Sequence, residues 1–597
     1  MPTAIIDGIP YTVAVDDREG LLWQVVQKGG PLLWEQDDWS GGMGETRPIT
    51  GRGYYYSSGV DASAHGLLRL GPGATTTSDT DVTANTGYFF EARDSGATSH
   101  VYLADTTRLM KYSATGTKEG TNITVAGGVA GRPMYANGKW YVPFGSGGTA
   151  RRGDTIGTGA IQTTDTWADT TWNADAFSTL QIPAGPRFIR VNSTTRNRLD
   201  ISADTGNITT WTTFADVGDN SNPITDIVES NGFLYAAKPE GLYEVTSDGV
   251  VRLVTTSFPK AAQDSENGKG LLAFGDMIFY PTQFGFWRYQ IGVGAIPVGP
   301  DAILGYSDGP ALIQDDIPNQ LPLRLRHRFA ASIGEWIYNV YGQRILAGRL
   351  QRTPKGEFIW HSIINSVAVD RSLFPTSANR LFAQRNQNIE IYTLGADGGP
   401  ATTLTRGIAN DISTIILSEV DFGTPYELKQ LEVFSVEVRG TGTPITIQPQ
   451  VRRDGGSVED VGAAITTATL AENAWTANDT CYSLFPILKL TTPVGGGHTD
   501  PRIMRTRIRG RSPDIIRAVV DASPEAVGPG LTPEDAEDNL RRLQDAQLVS
   551  VTEPDTDRPT APTTFNAYVT QVRDHRFTRG GTVGYGLEVT LQRFIQD

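Results

Sequence analysis

The stretch DIVESNGFLYAAKPEGLYEVTSDGVVRLV, residues 226–254, decides the fold. Its turn signals Asn231-Gly232, Glu240-Gly241 and Asp248-Gly249 fall about nine residues apart, which suits four short antiparallel strands. A single four-stranded unit of this kind cannot bury both of its faces. It needs neighbours of the same shape.

The same beat recurs on both sides of it. Val101-Tyr102-Leu103 is followed by Tyr112, Leu234-Tyr235-Ala236 by Val245, Ile278-Phe279-Tyr280 by Tyr289, and Leu381-Phe382-Ala383 by Tyr392. In each case an apolar or tyrosine residue lies eleven positions after the first member of the triplet. Phe188 and Leu199 keep the interval, and looser versions surround Trp140-Tyr141-Val142 and Trp336-Ile337-Tyr338. The anchors 101, 140, 188, 234, 278, 337 and 381 are spaced by 39, 48, 46, 44, 59 and 44 residues. Periods of roughly 40–50 residues in an all-β chain are those of propeller blades. The expectation is a β-propeller over 85–407 with six to eight blades, seven favoured. The rival reading is a run of ordinary hairpins in a sandwich.

Near residue 410 the repeat stops. Ile445, Ile447, Pro449 and Val451 then alternate with Thr446, Gln448, Gln450 and Arg452 before the turn Asp454-Gly455-Gly456, the pattern of a half-buried strand. This predicts a β-sandwich over 408–525. Thr532-Pro533-Glu534-Asp535 has the form of a capping box with proline at the first helical position, and Leu540, Leu543 and Leu548 supply an apolar stripe. After the polar link TEPDTDRPTAPT come two last strands, so 526–597 is expected to be a small β-module with one helix. Residues 1–84 are left as an N-terminal β-segment leading into or closing the propeller. The break in pattern predicts two autonomous halves.

Composition narrows the function classes. Of 597 residues, 66 are glycine and 34 proline, a turn-rich chain, and 39 % are apolar, enough for real cores. The net charge of −15 argues against nucleic acid and anionic membranes as partners. A single cysteine, Cys481, excludes an intramolecular disulfide framework and a cysteine-rich zinc site. Six scattered histidines form no H-x-x-x-H pair, and no apolar run approaches the ~18 residues of a membrane helix. The opening MPTAIIDGIPYTVAVDD lacks a basic n-region and reads as no signal peptide.

Motifs for chemistry are few. Ser202-Ala203-Asp204-Thr205-Gly206 with Trp211 resembles an Asp-box turn, a structural device, with its tryptophan displaced by two residues. Asp216, Asp219, Asn220, Asn222 and Asp226 offer oxygen ligands of the kind calcium takes, or simply a solvated loop. No carboxylate pair stands out among 66 acids, and no nucleophile elbow, zinc helix or phosphate loop is present. No catalytic residue, cofactor or metal is expected. Two basic ladders do stand out: Arg324, Arg326 and Arg328, and Arg505, Arg507, Arg509 and Arg511. Same-face residues lie about 6.6 Å apart along a strand, so each ladder is a line of positive charge. The first suits an anionic partner and the second an assembly interface; in both cases pairing within the chain is the competing explanation.

Three stretches resemble proteins of tailed bacteriophages. Trp39-Ser40-Gly41-Gly42-Met43-Gly44, Tyr54-Tyr55-Tyr56-Ser57-Ser58-Gly59-Val60-Asp61 and Leu70-Gly71-Pro72 resemble the opening of large phage propeller proteins. Lys429-Gln430-Leu431-Glu432-Val433 and Val451-Arg452-Arg453-Asp454-Gly455-Gly456 resemble accessory sandwiches of tail proteins, and the ending TQVRDHRF…YGLEVTLQRF resembles closing hairpins of tail-tip and tail-tube modules. The resemblance implies a non-enzymatic virion structural protein at the tail tip or baseplate. Its implied partners are other tail proteins, copies of itself in a symmetric ring, and a host-surface glycan or protein. A propeller-type carbohydrate-active enzyme or glycan-binding protein, and a head or neck component, are the alternatives.

Overall fold

The computed structural model describes residues 2–44, 52–83, 87–125, 128–202, 208, 210–255, 257–258, 263–283, 285–299, 327–341, 344–350, 358–363, 372–385, 387–395, 397, 399, 412–425, 427–439, 445–466, 470–475, 479–492, 502–523, 532–544, 548–554 and 563–593. Among the described residues, seven four-stranded antiparallel sheets follow one another around a ring as the blades of a β-propeller. Blades 1 to 6 begin with the innermost strands Tyr88–Arg93, Met134–Ala136, Phe177–Ile182, Asp226–Ser230, Leu272–Phe274 and His327–Ile333. Blade 7 takes Leu373–Pro375, Arg380–Arg385 and Asn388–Thr393 from the end of the repeat and its outermost strand, Ala74–Ser78, from before it. That pairing (Thr76 opposite Glu390) closes the ring.

The eleven-residue interval has a simple cause. Val101 and Tyr112, Leu234 and Val245, Ile278 and Tyr289, and Leu381 and Tyr392 are directly opposed across the second and third strands of their blades. Each pair is buried between blades. Blade 3 departs from the reading: Ile189 faces Ile201, and Phe188 is not opposed to Leu199. The Asn137-Gly138 and Asn231-Gly232 turns have both residues at positive φ, as two-residue hairpins require.

Residues 1–84 are not one unit, and the expected boundaries are redrawn. Strands at 3–12 and 23–27 join Asp514–Asp521, Leu548–Thr552, Thr564–Arg579 and Thr582–Arg593 in a seven-stranded terminal sheet. Strands at 31–36 and 60–70 join Lys429–Arg439, Leu470–Ala474 and Arg502–Arg511 in one sandwich sheet. Ser512 and Pro513 mark the real boundary, because the strand after them already belongs to the terminal sheet. The helix Pro533–Leu543 starts at the expected box: the Thr532 hydroxyl accepts from the Asp535 N–H (3.1 Å), and the Asp535 carboxylate accepts from the Thr532 N–H (2.9 Å). Leu540 and Leu543 are buried under it, whereas Leu548 opens the next strand.

The two halves share a core. A single apolar cluster runs from Phe279, Phe286 and Trp360 of the propeller to Val60, Leu68, Phe434, Ile503 and Ile508 of the sandwich. Separating them would expose a continuous core, so the change of sequence pattern near residue 410 marks a change of architecture inside one packed body. At this joint His361 meets Tyr54, its Nδ1 lying 3.0 Å from the tyrosine hydroxyl. Burial holds the imidazole pKa down at about 4.

Candidate functional site: the propeller axis

The chain segments that enter the innermost strands bring charged and aromatic side chains to one end of the axis. Arg132 lies two residues before the first strand of blade 2, and Asp226 opens blade 4. The guanidinium donates from Nε to Asp226 Oδ1 (2.7 Å), from Nη2 to Oδ2 (2.6 Å), and from Nη2 to the Leu271 carbonyl (2.6 Å). Asp226 also accepts from the amides of Ile227 (2.9 Å), Gly270 (2.9 Å) and Leu271 (3.0 Å). The carboxylate is fully buried, while the Arg132 side chain keeps 26 % exposure. Gly131 allows this approach, since a Cβ there would lie 1.7 Å from the Asp175 carbonyl oxygen.

Beside this pair is a cavity of about 230 Å³, whose lining includes Tyr88, Phe90, Arg132, Trp140, Leu271, Phe329 and Leu373. Tyr88 and Phe329 meet edge-on at 5.1 Å. Phe90 packs on Trp140 at 4.5 Å, and Trp140 on Tyr135 at 5.3 Å. Tyr135 is 57 % exposed, so an aromatic path leads from the cavity to solvent. Burial, and then the negative charge of Asp226, push the Tyr88 phenol far above its ordinary range. It is therefore a neutral hydroxyl at any working pH. At the rim, Arg196 pairs with Asp175 (2.6 Å) and Lys269 with Glu266 (2.7 Å). Asp175 is raised by burial, partly opposed by Arg196.

Chemically, this is a cavity whose bordering charges are cancelled. Asp226 neutralises Arg132, leaving Nη1 as a donor that makes no hydrogen bond among the described residues. Around it are aromatic faces and a phenol.

The second ladder is paired within the chain, one of the two explanations its sequence left open. Arg505 and Arg507 reach Glu35 (3.5 and 2.7 Å), Arg509 reaches Glu472 (3.7 Å) and Arg511 reaches Glu432 (3.0 Å). The nearest sequence lacks acids, but strands distant in sequence set glutamates on the same sheet face. The need for acids from a neighbouring subunit therefore disappears, and the acidic helix Pro533–Leu543 is not the partner either. Arg324 and Arg326 lie outside the described residues; Arg328 stands on the first strand of blade 6 opposite Val340.

Among the calcium-like residues, Asp219 holds the Ser221 amide (2.9 Å), Asn222 donates to Glu240 (3.0 Å) and Asp226 is taken by Arg132. Among the described residues no group of three or more metal-ligating side chains is placed to hold an ion. Most of the Asp-box motif lies outside the described residues; Trp211 packs edge-on against Trp172 at 5.3 Å. Among the described residues no helix is long and apolar enough to cross a membrane.

Sequence reading missed Arg132 and Tyr88, and offered Asp226 only as a calcium-like oxygen ligand. A signal for the pair existed. Arg132, Asp226, Gly270, Phe329 and Leu373 each lie eight residues before an anchor, at Trp140, Leu234, Ile278, Ile337 and Leu381. That offset is the distance from the axial end of a blade's first strand to its second strand.

No family model and no curated protein sequence matches the chain. Among solved structures it is similar to virginiamycin B lyase from Staphylococcus aureus, at 12 % identity and a TM-score of 0.37, covering 54 % of this chain and 99 % of that one. It is also similar to the Pan2 WD40 domain from Neurospora crassa (9 % identity, TM-score 0.36, 54 % and 94 % covered). The Cps50 (Swd1) β-propeller domain from Myceliophteria thermophila matches at 9 % identity and TM-score 0.35, with 54 % and 100 % covered. Likeness at this level concerns the fold alone.

Proposed function

We propose that this chain is a non-enzymatic structural protein of a tailed-phage virion, placed at the tail tip or baseplate and working by assembly and surface contact. The observation that carries this reading is the continuous core between propeller and sandwich. Such a core makes the chain one stiff body, suited to transmitting contact from a propeller face to neighbours around a tail. The strands Thr3–Ile6 and Thr582–Arg593 share the terminal sheet, where anchoring to other tail proteins is expected. The five hydrogen bonds that occupy the Asp226 carboxylate, two of them from Arg132, support a structural role for this pair. Disrupting the gene in a phage that encodes the chain tests this. Particles with unfinished tails are expected; complete, infective particles would overturn the reading.

A second reading, capture of a glycan at the axis, is favoured by the Tyr135–Trp140 pair, since Trp140 lines the same cavity as Arg132. Aromatic faces take the C–H face of a pyranose, and a donor without net charge takes a hydroxyl. Neutral hexoses are therefore expected to bind better than uronic or sialic acids. Equilibrium binding to both classes, with Trp140→Ala as control, decides it.

A further inference from the structure

Blades 1 and 2 share a lysine–aspartate pair that water does not reach. Lys111 stands on the third strand of blade 1 (Arg108–Ser113), and Asp165 comes immediately before the outermost strand of blade 2 (Thr166–Asp169). Neither side chain has exposed surface, and Lys111 Nζ lies 2.9 Å from Asp165 Oδ1. Lys118 and Lys139, which also meet aspartates, stay 25 % and 39 % exposed. Around the buried pair the walls are aromatic. The Tyr102 ring centroid is 5.7 Å from Nζ, with Phe90 stacked on that ring at 5.0 Å and Trp167 at 5.7 Å. Two charges this far from solvent carry a heavy desolvation cost, which a neutral product would not.

The carboxyl group is held from both sides. The Tyr102 hydroxyl donates to Oδ2 (2.5 Å) and the Gly157 N–H to Oδ1 (2.9 Å). Burial, and then the bond to Asp165, hold the Tyr102 phenol far above its ordinary range, so it remains a donor. A third side chain completes the group: Glu119 Oε2 lies 3.9 Å from Lys111 Nζ and 2.7 Å from His100 Nδ1.

We propose that Lys111 and Asp165 condense to an amide, an isopeptide crosslink between blades 1 and 2, with Glu119 carrying the proton. The ammonium first gives one proton along its hydrogen bond to Oδ1, leaving a neutral amine and a neutral acid. The nitrogen lone pair then attacks Cγ, and the negative charge that builds on Oδ2 is met by the Tyr102 O–H. Glu119 takes a proton from the nitrogen, now cationic, and returns it to the Oδ1 hydroxyl. The Cγ–Oδ1 bond breaks and water leaves. In sum an ammonium and a carboxylate become one amide and one water, so no oxidant or co-reactant is needed. Nζ also donates to the carbonyls of Gly157 (2.7 Å) and Gly159 (3.0 Å), and the amide N–H can keep one of these bonds. The partners are 54 positions apart, so the amide closes a loop that joins neighbouring blades. A chain with a single cysteine has no disulfide to do this. The crosslink goes beyond the virion reading and does not depend on it.

Mass spectrometry of the full chain, folded and then denatured, tests it. Wild type is expected to be lighter than its sequence by one water molecule. Trypsin should fail to cut after Lys111, and the peptides that carry Lys111 and Asp165 should travel as one branched species. Wild type at its full sequence mass would overturn the proposal and leave a buried ion pair. So would a lost water with those two peptides running apart, because Asp-Gly turns such as Asp248-Gly249 can also lose water, as succinimides. Asp165→Ala and Glu119→Gln are expected to keep their full masses. A Glu119→Gln chain that still carries the branched peptide would overturn the role given to Glu119. The wild-type masses need no variant, so a misfolded variant does not blunt the test.

Discussion

The Arg132 guanidinium grips Asp226 through two parallel hydrogen bonds of 2.7 and 2.6 Å, and so ties blade 2 to blade 4 past the blade between them. Three backbone amides share the same carboxylate. Asp226→Asn leaves a largely enclosed cation without its counter-ion. Breaking a buried pair from one side costs about 3–5 kcal/mol, and the partial exposure of Arg132 places this case near 3. Denaturant unfolding measures it, and a loss below about 1 kcal/mol would show that the pair is not holding the axis together.

His361 gives the joint a pH dependence. Its folded pKa of about 4 lies below the ordinary 6.5, so the unfolded chain takes up the proton first. Stability from this group is complete above pH 6.5 and is lost as pH falls toward 4. The loss is on the order of 3 kcal/mol by the shift of about 2.5 units. His361→Asn, which cannot titrate, should flatten stability between pH 6.5 and 4; an unchanged slope there would assign the effect elsewhere.

Cys481 is buried in the sandwich core, and burial raises its thiol to about 12. The thiolate is the reactive form. A thiol reagent at pH 8 is therefore expected to modify the native chain at least tenfold more slowly than the unfolded one, by about one pKa unit of thiolate suppression or more. Rapid labelling of the native chain would mean that the sandwich opens around the strand Thr480–Cys481, which pairs with Lys429–Arg439.

Much of the propeller was legible because each blade repeats a physical requirement. Val101 and Tyr112, or Leu381 and Tyr392, must face each other and be apolar, and the hairpin between them fixes the interval. The helix start at Thr532 was legible for the same local reason. The rest depends on contacts distant in sequence. Glu35 and Arg507 are 472 positions apart, and nothing near either announces the partner. The same holds for Ala74–Ser78 closing blade 7 and for Asp226 finding Arg132. Local patterning shows which residues must be buried, and topology then chooses their company.

The central claim is a place at the end of a phage tail, and gold-labelled antibody against this chain on intact particles tests it most directly. Micrographs should show the label at the tail end away from the head, on every particle. Label on the head or neck, or particles without label while free protein in the same lysate binds it, would contradict the account.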